Sequence, residues 1–151
     1  MYEAKLKEMG IDLPEAPKPL AAYVPAVRID DCVYTSGQIP LVGGELKFKG
    51  KVGAEISEAQ GYEAAKVCAI NCLSAVKGVI GSLDQIARVV KVTGFVNSAP
   101  GFNAQPKVVN GASEFLGEVF GEAGRHARSA VGVSELPIDA AVEVEIVVKL
   151  K

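Results

Sequence analysis

Arg128 stands in a strand-like run, A-R-S-A-V-G-V, beside the small residues Ala127, Ser129 and Ala130. A guanidinium in such a setting is costly unless an anion meets it. Past a Leu136-Pro137 corner the chain runs V-E-V-E-I, which sets Glu143 and Glu145 between branched apolar residues. Two chemistries are open to the arginine. It can close a structural ion pair with Glu143 or Glu145, or it can clamp the carboxylate of a small substrate, for which its planar fork of donors is shaped. In the second case a nearby carboxyl group is available for proton transfer.

The other reactive side chains carry less. His126, in G-R-H-A-R, has a side chain suited to general-base chemistry near neutral pH, but Arg125 and Arg128 on either side favour its neutral form. A serine triad would need this same histidine with an oriented acid, and the chain has no nucleophile-elbow motif. A single histidine and a Cys68/Cys72 pair one helical turn apart do not make a metal cluster, and the pair reads as core packing. The stretch from Gly44 to Gly50 and Lys51 lacks phosphate-loop spacing and has Val52 where a magnesium-binding hydroxyl belongs. No metal and no cofactor is expected.

Positioning Arg128 and Glu143 falls to the elements around them. Residues 2–9 form a short helix ended by Gly10, and Pro14, Pro17 and Pro19 force an extended lead-in. Residues 1–20 are therefore taken as an N-terminal extension to a single domain, 21–151. Strands are predicted at 23–28 and 32–38, and a glycine-rich hairpin adds a third short strand at 46–48. Ser57 followed by Gln60 has capping-box spacing and opens a helix whose apolar face holds Ala64, Val67, Cys68, Leu73, Val76 and Ile80, ending near Gly81. A β-branched run predicts a strand at 87–96. A second helix follows, with Pro106 in its first turn and Val109, Phe115, Leu116, Val119 and Phe120 available for burial.

In the last strand Val142, Val144, Ile146, Val148 and Leu150 alternate with Glu143, Glu145, Val147 and Lys149. In the strand before it, Arg128, Ala130 and Gly132 alternate with Ser129, Val131 and Val133. If the valine-rich faces of both strands meet the helices, Arg128 and the two glutamates lie together on the opposite face. The order β-β-β-α-β-α-β-β predicts an α+β fold, a mixed sheet with both helices on one face. Its other face is neither cleanly polar nor cleanly apolar, which points to burial against another copy of the chain.

Composition narrows the partners. With 151 residues, 49% of them hydrophobic, the chain supports one core. Sixteen Lys+Arg against eighteen Asp+Glu give a formal net charge of -2, so nucleic acid and anionic membrane are not the expected partners. No run approaches the ~20 apolar residues of a membrane span, and Glu3 and Glu8 argue against a secretory signal. Three cysteines, an odd number, fit reduced thiols and a cytoplasmic location.

T-S-G-Q-I-P at 35–40, Val109 and Asn110 in the second helix, and R-S-A-V-G-V-x-x-L-P at 128–137 leading into V-E-V-E together resemble the Rid family, the YjgF-like reactive intermediate deaminases, over nearly the whole chain. The resemblance implies a chorismate-mutase-like fold and a homotrimer whose sheets form an inner barrel with three clefts between subunits. It also implies cofactor-free hydrolysis of small 2-enamine and 2-imino acids to 2-oxo acids and ammonia. Carried over residue by residue, Arg128 and Glu143 are the catalytic pair, gripping the substrate carboxylate and handling the attacking water. Tyr23, Ser36 and Gly37 then line the cleft, and the backbone N–H of Ala130 helps to orient the substrate. Ala21-Ala22 stand where the family usually has Gly-Pro, and Ala130 stands where it usually has cysteine, which implies a differently shaped pocket, and the extended segment at 101–130 resembles a divergent subgroup of the family.

Two other functions compete. The same cleft could serve a non-catalytic trimer that binds a 2-oxo acid or amino acid. An endoribonuclease or translation-inhibitor activity is opposed by the 6% aromatic content, the absence of tryptophan and the net charge of -2, which supply neither stacking platforms nor a phosphate funnel.

Overall fold

The computed structural model describes residues 1–19 and 22–151. Helix α1 (Tyr2–Glu8) precedes strands β1 (Ala26–Ile29) and β2 (Cys32–Thr35), a small hairpin of β3 (Leu41–Val42) and β4 (Glu45–Leu46), and helix α2 (Glu58–Ile80). Strand β5 (Ile86–Asn97), helix α3 (Gln105–Phe120), β6 (Ala127–Val133) and β7 (Val142–Leu150) complete the chain.

Five strands form one mixed sheet in the order β1-β2-β7-β5-β6. β5, α3 and β6 make a parallel strand–helix–strand unit, whereas β1/β2, β2/β7 and β5/β7 are antiparallel. This is the predicted α+β layer, with α2 and α3 packed on one face. Val142, Val144, Ile146, Val148 and Leu150 are all buried beneath those helices together with Val89, Val92 and Val96 of β5. Alternation along β7 thus fixes its buried face as expected.

Local chemistry explains the helix limits. The Ser57 hydroxyl accepts from the Gln60 N–H at 3.1 Å and the Gln60 side-chain carbonyl accepts from the Ser57 N–H at 2.9 Å, a closed capping box. Gly81, at φ +83°, ends α2 in a conformation that costs glycine little. The predicted third strand is placed wrongly. Gly43 and Gly44 make a turn that pairs 41–42 with 45–46 outside the main sheet, so the strand ends at Leu46 where 46–48 was expected, and Phe48 at φ +58° cannot continue an extended run.

The N-terminal segment is tied to the body reciprocally. Asp84 Oδ1 accepts from the backbone N–H groups of Tyr2 and Glu3 at 2.7 and 3.2 Å, capping α1, while Glu3 Oε1 accepts from Leu83 N–H at 3.1 Å. Leu6 is buried, and the Tyr2 ring lies 4.5 Å from that of Phe120. Among the described residues no helix is long and apolar enough to cross a membrane.

The two long helices cross through Gly111, where an added Cβ would sit 1.9 Å from the Tyr62 carbonyl oxygen. Neither backbone can yield without separating α2 from α3. Gly111→Ala is expected to destabilise the fold by about 3 kcal/mol or more, read as a lower midpoint in chemical denaturation.

Candidate functional site

Arg128 leaves edge strand β6 on the helix side of the sheet, level with Val92 of β5 and through it with buried Ile146 of β7. Helix α3, folded back over β6 by the parallel crossover, places Asn110 and Ser113 one turn apart above it. Arg128 Nη1 donates to Asn110 Oδ1 at 2.8 Å and to Ser113 Oγ at 3.1 Å. Those two bonds use both hydrogens of Nη1. The parallel pair of N–H groups on Nε and Nη2 is left without a protein acceptor among the described residues, and that edge of a guanidinium is the one that meets a carboxylate side-on. Arg128 has no carboxylate partner among the described residues either, so the structural ion pair with Glu143 or Glu145 does not form within the chain.

A hollow of about 310 Å³ adjoins the arginine, lined by Ser113, Gly117, Gly124, Arg125, His126 and Arg128. The His126 ring lies 2.9 Å from Ser113 Oγ through Nε2 and 2.6 Å from the Gly124 carbonyl through Nδ1. Burial pushes its pKa down, and the charge of Arg128 adds to that against the opposing Gly124 bond. The net lowering favours the neutral imidazole, the form expected from the flanking arginines, but burial is the larger cause and of the two arginines only Arg128 contributes.

Glu143 occupies a different place. It pairs with Phe95 of β5 and lies on the uncovered face, as does Glu145 opposite Thr93. Its carboxyl rests on Gly37, where a Cβ would come within 2.5 Å of Oε1, so a larger residue there would displace the carboxyl from this position. Ser36 N–H and Oγ donate to the carbonyls of Pro25 and Val24 at 2.8 and 2.6 Å, which holds the 36–37 turn beside the chain that carries exposed Tyr23. Burial, reinforced by the Glu145 carboxylate, raises Glu143 above the ordinary carboxylate range.

The predicted site residues therefore form two groups. Tyr23, Ser36, Gly37 and Glu143 gather on the β1–β2–β7 side, whereas Arg128 and Ala130 lie at the β6 edge, two strand spacings or about 10 Å from the strand that carries Glu143. The expectation that Arg128 shares the uncovered face with Glu143 and Glu145 is overturned. Ala130 and Gly132 turn toward the helix side with Arg128, and Val131 is on the open face, 44% exposed. The physical reason is that β6 is an edge strand roofed by polar residues of α3, so its valines are not drawn under the helices. Ala21 lies outside the described residues.

Asn110 and Ser113 escaped assignment to the site. The signal was there: two polar residues at i, i+3 on the face of a helix that otherwise presents Val109, Ala112 and Leu116 inward. Cys68 and Cys72 behave as expected for core packing. Both are buried, with thiols 3.5 and 3.2 Å from the Val142 and Val144 carbonyls, and burial raises the Cys72 pKa to about 12.

The result is a mixed α+β sheet roofed by two helices, with a cationic fork at its β6 edge and a half-buried carboxyl on its central strand β7. The model of a family described as "YjgF/chorismate mutase-like, putative endoribonuclease" matches residues 3–150, and the chain belongs to that family. Protein TCP17 of Trypanosoma cruzi is 45% identical over 150 residues, covering 97% of this chain and 92% of that protein. A 2-iminobutanoate/2-iminopropanoate deaminase of Dermatophagoides farinae is 34% identical over 141 residues, covering 93% and 95%. Among solved structures, Atu1372 of Agrobacterium tumefaciens, a protein of unknown function, superposes with a TM-score of 0.93 at 43% identity, covering 99% and 92%.

Proposed function

We propose that the chain hydrolyses small 2-imino acids to 2-oxo acids and ammonia, in a cleft that a second copy of the chain completes. The observation that carries this reading is the Arg128 guanidinium, fixed by two neutral acceptors with its carboxylate-binding edge and its charge both free. A 34% identical relative named as a 2-iminobutanoate/2-iminopropanoate deaminase supports it.

In the reaction the iminium carbon gains a hydroxyl from water, and the resulting carbinolamine, once protonated on nitrogen, expels ammonia while its hydroxyl proton passes to the Glu143 carboxylate, leaving the 2-oxo acid. Arg128 holds the substrate carboxylate. Glu143, as a carboxylate, takes a proton from the attacking water and returns it to the departing nitrogen, a task eased by a pKa raised toward the working pH. Because Arg128 and Glu143 of one chain stand on opposite faces of the sheet, the pair that works together comes from neighbouring protomers. The open face, with Val27, Ile29, Tyr34 and Val131 exposed beside charged residues, is the surface a homotrimer would cover.

The test couples an amino-acid oxidase, which releases a 2-imino acid, to the purified protein in the presence of semicarbazide. Semicarbazone formation is expected to fall as the protein removes the imine. If no amino acid gives such a fall while 2-oxobutanoate still binds, the cleft is a binding site without turnover. The endoribonuclease activity in the family's description has weaker support here. Both His126 nitrogens are engaged, and the formal net charge is -2.

A further inference from the structure

We infer that His126 is a positioning residue: through Ser113 it sets the direction of a hydrogen-bond relay that holds Arg128 with its carboxylate-binding edge free. The inference rests on the reading of Arg128 as a carboxylate clamp and adds to it a residue that need not touch the substrate.

Each link in the relay has one permitted role. The Gly124 carbonyl oxygen can only accept, so the 2.6 Å contact requires the hydrogen on His126 Nδ1. In the neutral ring Nε2 is then a bare lone pair, and the Ser113 hydroxyl 2.9 Å away must donate to it. With its own hydrogen committed, Ser113 Oγ meets Arg128 Nη1 at 3.1 Å as an acceptor. The chain of donation runs Arg128 to Ser113 to His126 to Gly124, and bonds aligned in this way strengthen one another.

Removing the acceptor at position 126 would free the Ser113 hydroxyl to rotate. One turn away on the same helix face lies Asn110 Oδ1, the other atom that tethers Arg128. A freed hydroxyl would no longer hold a lone pair toward Nη1, so the guanidinium would keep the Asn110 tether and lose the fixed geometry of the second. A charged ring would be no better, because imidazolium Nε2–H and Nη1–H would both donate to one hydroxyl oxygen, setting two cations against a single acceptor.

His126 is the only histidine in the chain, so its ring nitrogens give a single pair of signals in a long-range proton–nitrogen NMR spectrum of labelled protein. At pH 7 the spectrum is expected to show Nδ1 protonated and Nε2 bare, the minority form of free imidazole in histidine. Protonation at Nε2, alone or together with Nδ1, overturns the relay. The second arm measures the Kd for 2-oxobutanoate by titration. His126→Phe is expected to weaken binding about tenfold, whereas His126→Gln, whose side-chain carbonyl can accept from Ser113, should stay within about threefold of wild type. Unchanged binding by His126→Phe would overturn the inference. If that variant does not fold, Ser113→Ala breaks the relay from its other end and carries the same expectation. The two readings fail separately. Wild-type-like binding by Arg128→Lys would remove the clamp, while the tautomer still reports the relay, and absence of turnover would leave both arms readable.

Discussion

Arg128→Ala is expected to lower kcat/KM for 2-imino acid hydrolysis by about 100-fold or more while leaving the fold intact. The magnitude follows from what is removed. A side-on carboxylate takes two charge-assisted hydrogen bonds from Nε and Nη2, and such bonds contribute about 1.5–3 kcal/mol each in a shielded site, against about 1.4 kcal/mol for each factor of ten in rate. The cost to stability is small, because Asn110 and Ser113 are only half-buried beside the open hollow and water can replace the lost guanidinium. Arg128→Lys separates charge from geometry. It keeps the cation and loses the fork, so it should retain more activity than alanine but remain at least about tenfold below wild type. Steady-state kinetics with the oxidase-coupled assay, alongside circular dichroism and sedimentation, reads all three quantities. Wild-type kcat/KM in Arg128→Ala would mean that the substrate is held elsewhere.

Where local pattern alone decides structure, the fold was legible in the sequence. Ser57 and Gln60 announced the start of α2, Gly81 its end, and the strict alternation from Val142 to Leu150 its neighbour in the core. Each signal depends on residues a few positions apart. The features that escaped depend on distant parts of the chain. Asp84 caps a helix that begins at Tyr2, and nothing near Asp84 reveals it. The glycine-rich hairpin was expected, but its strand was placed at 46–48, and nothing in the local pattern showed that Phe48 would leave the extended region.

The candidate residues stood out by type, but their relative placement was not legible. Arg128 stood out because a guanidinium in a strand of small residues is costly, whereas only the family resemblance preferred Glu143 to Glu145; in the structure Arg128 has no anion partner among the described residues, and burial pushes the Glu143 carboxyl up. Their placement failed on one ambiguity. Alternation says that residues 128, 130 and 132 share a face, not which face, and in an edge strand with alanine, serine and glycine on both sides hydrophobicity does not break the tie. Only α3 decides it, by bringing Asn110 and Ser113 down onto β6. Once Arg128 lies on the helix side, a single chain can no longer unite it with Glu143, so the correction itself is what makes a second copy necessary for the proposed chemistry.

Glu143→Gln should separate function from stability most sharply. Loss of the carboxylate removes the base that activates water, and general-base catalysis contributes about 100- to 10,000-fold, so kcat should fall within that range while Kd for 2-oxobutanoate changes little. If the proposed hydrolysis holds, the wild-type protein should also lose activity as pH falls through a pKa above the ordinary glutamate value, because burial and Glu145 favour the protonated form that cannot accept the proton from water; in the variant that limb disappears. Stability should move the opposite way. With its pKa raised in the folded state, Glu143 binds its proton more tightly folded than unfolded, so ionisation weakens the fold as pH rises through the window between the unfolded and folded pKa values. Glutamine has no such ionisation and fits the same space against Gly37. Above that window the variant is expected to melt about 1–3 °C higher than wild type, the half-exposed position keeping the gain small, and below the window the two should converge. A variant that is inactive and less stable at pH 7 would show that Glu143 is held by the fold rather than by the reaction.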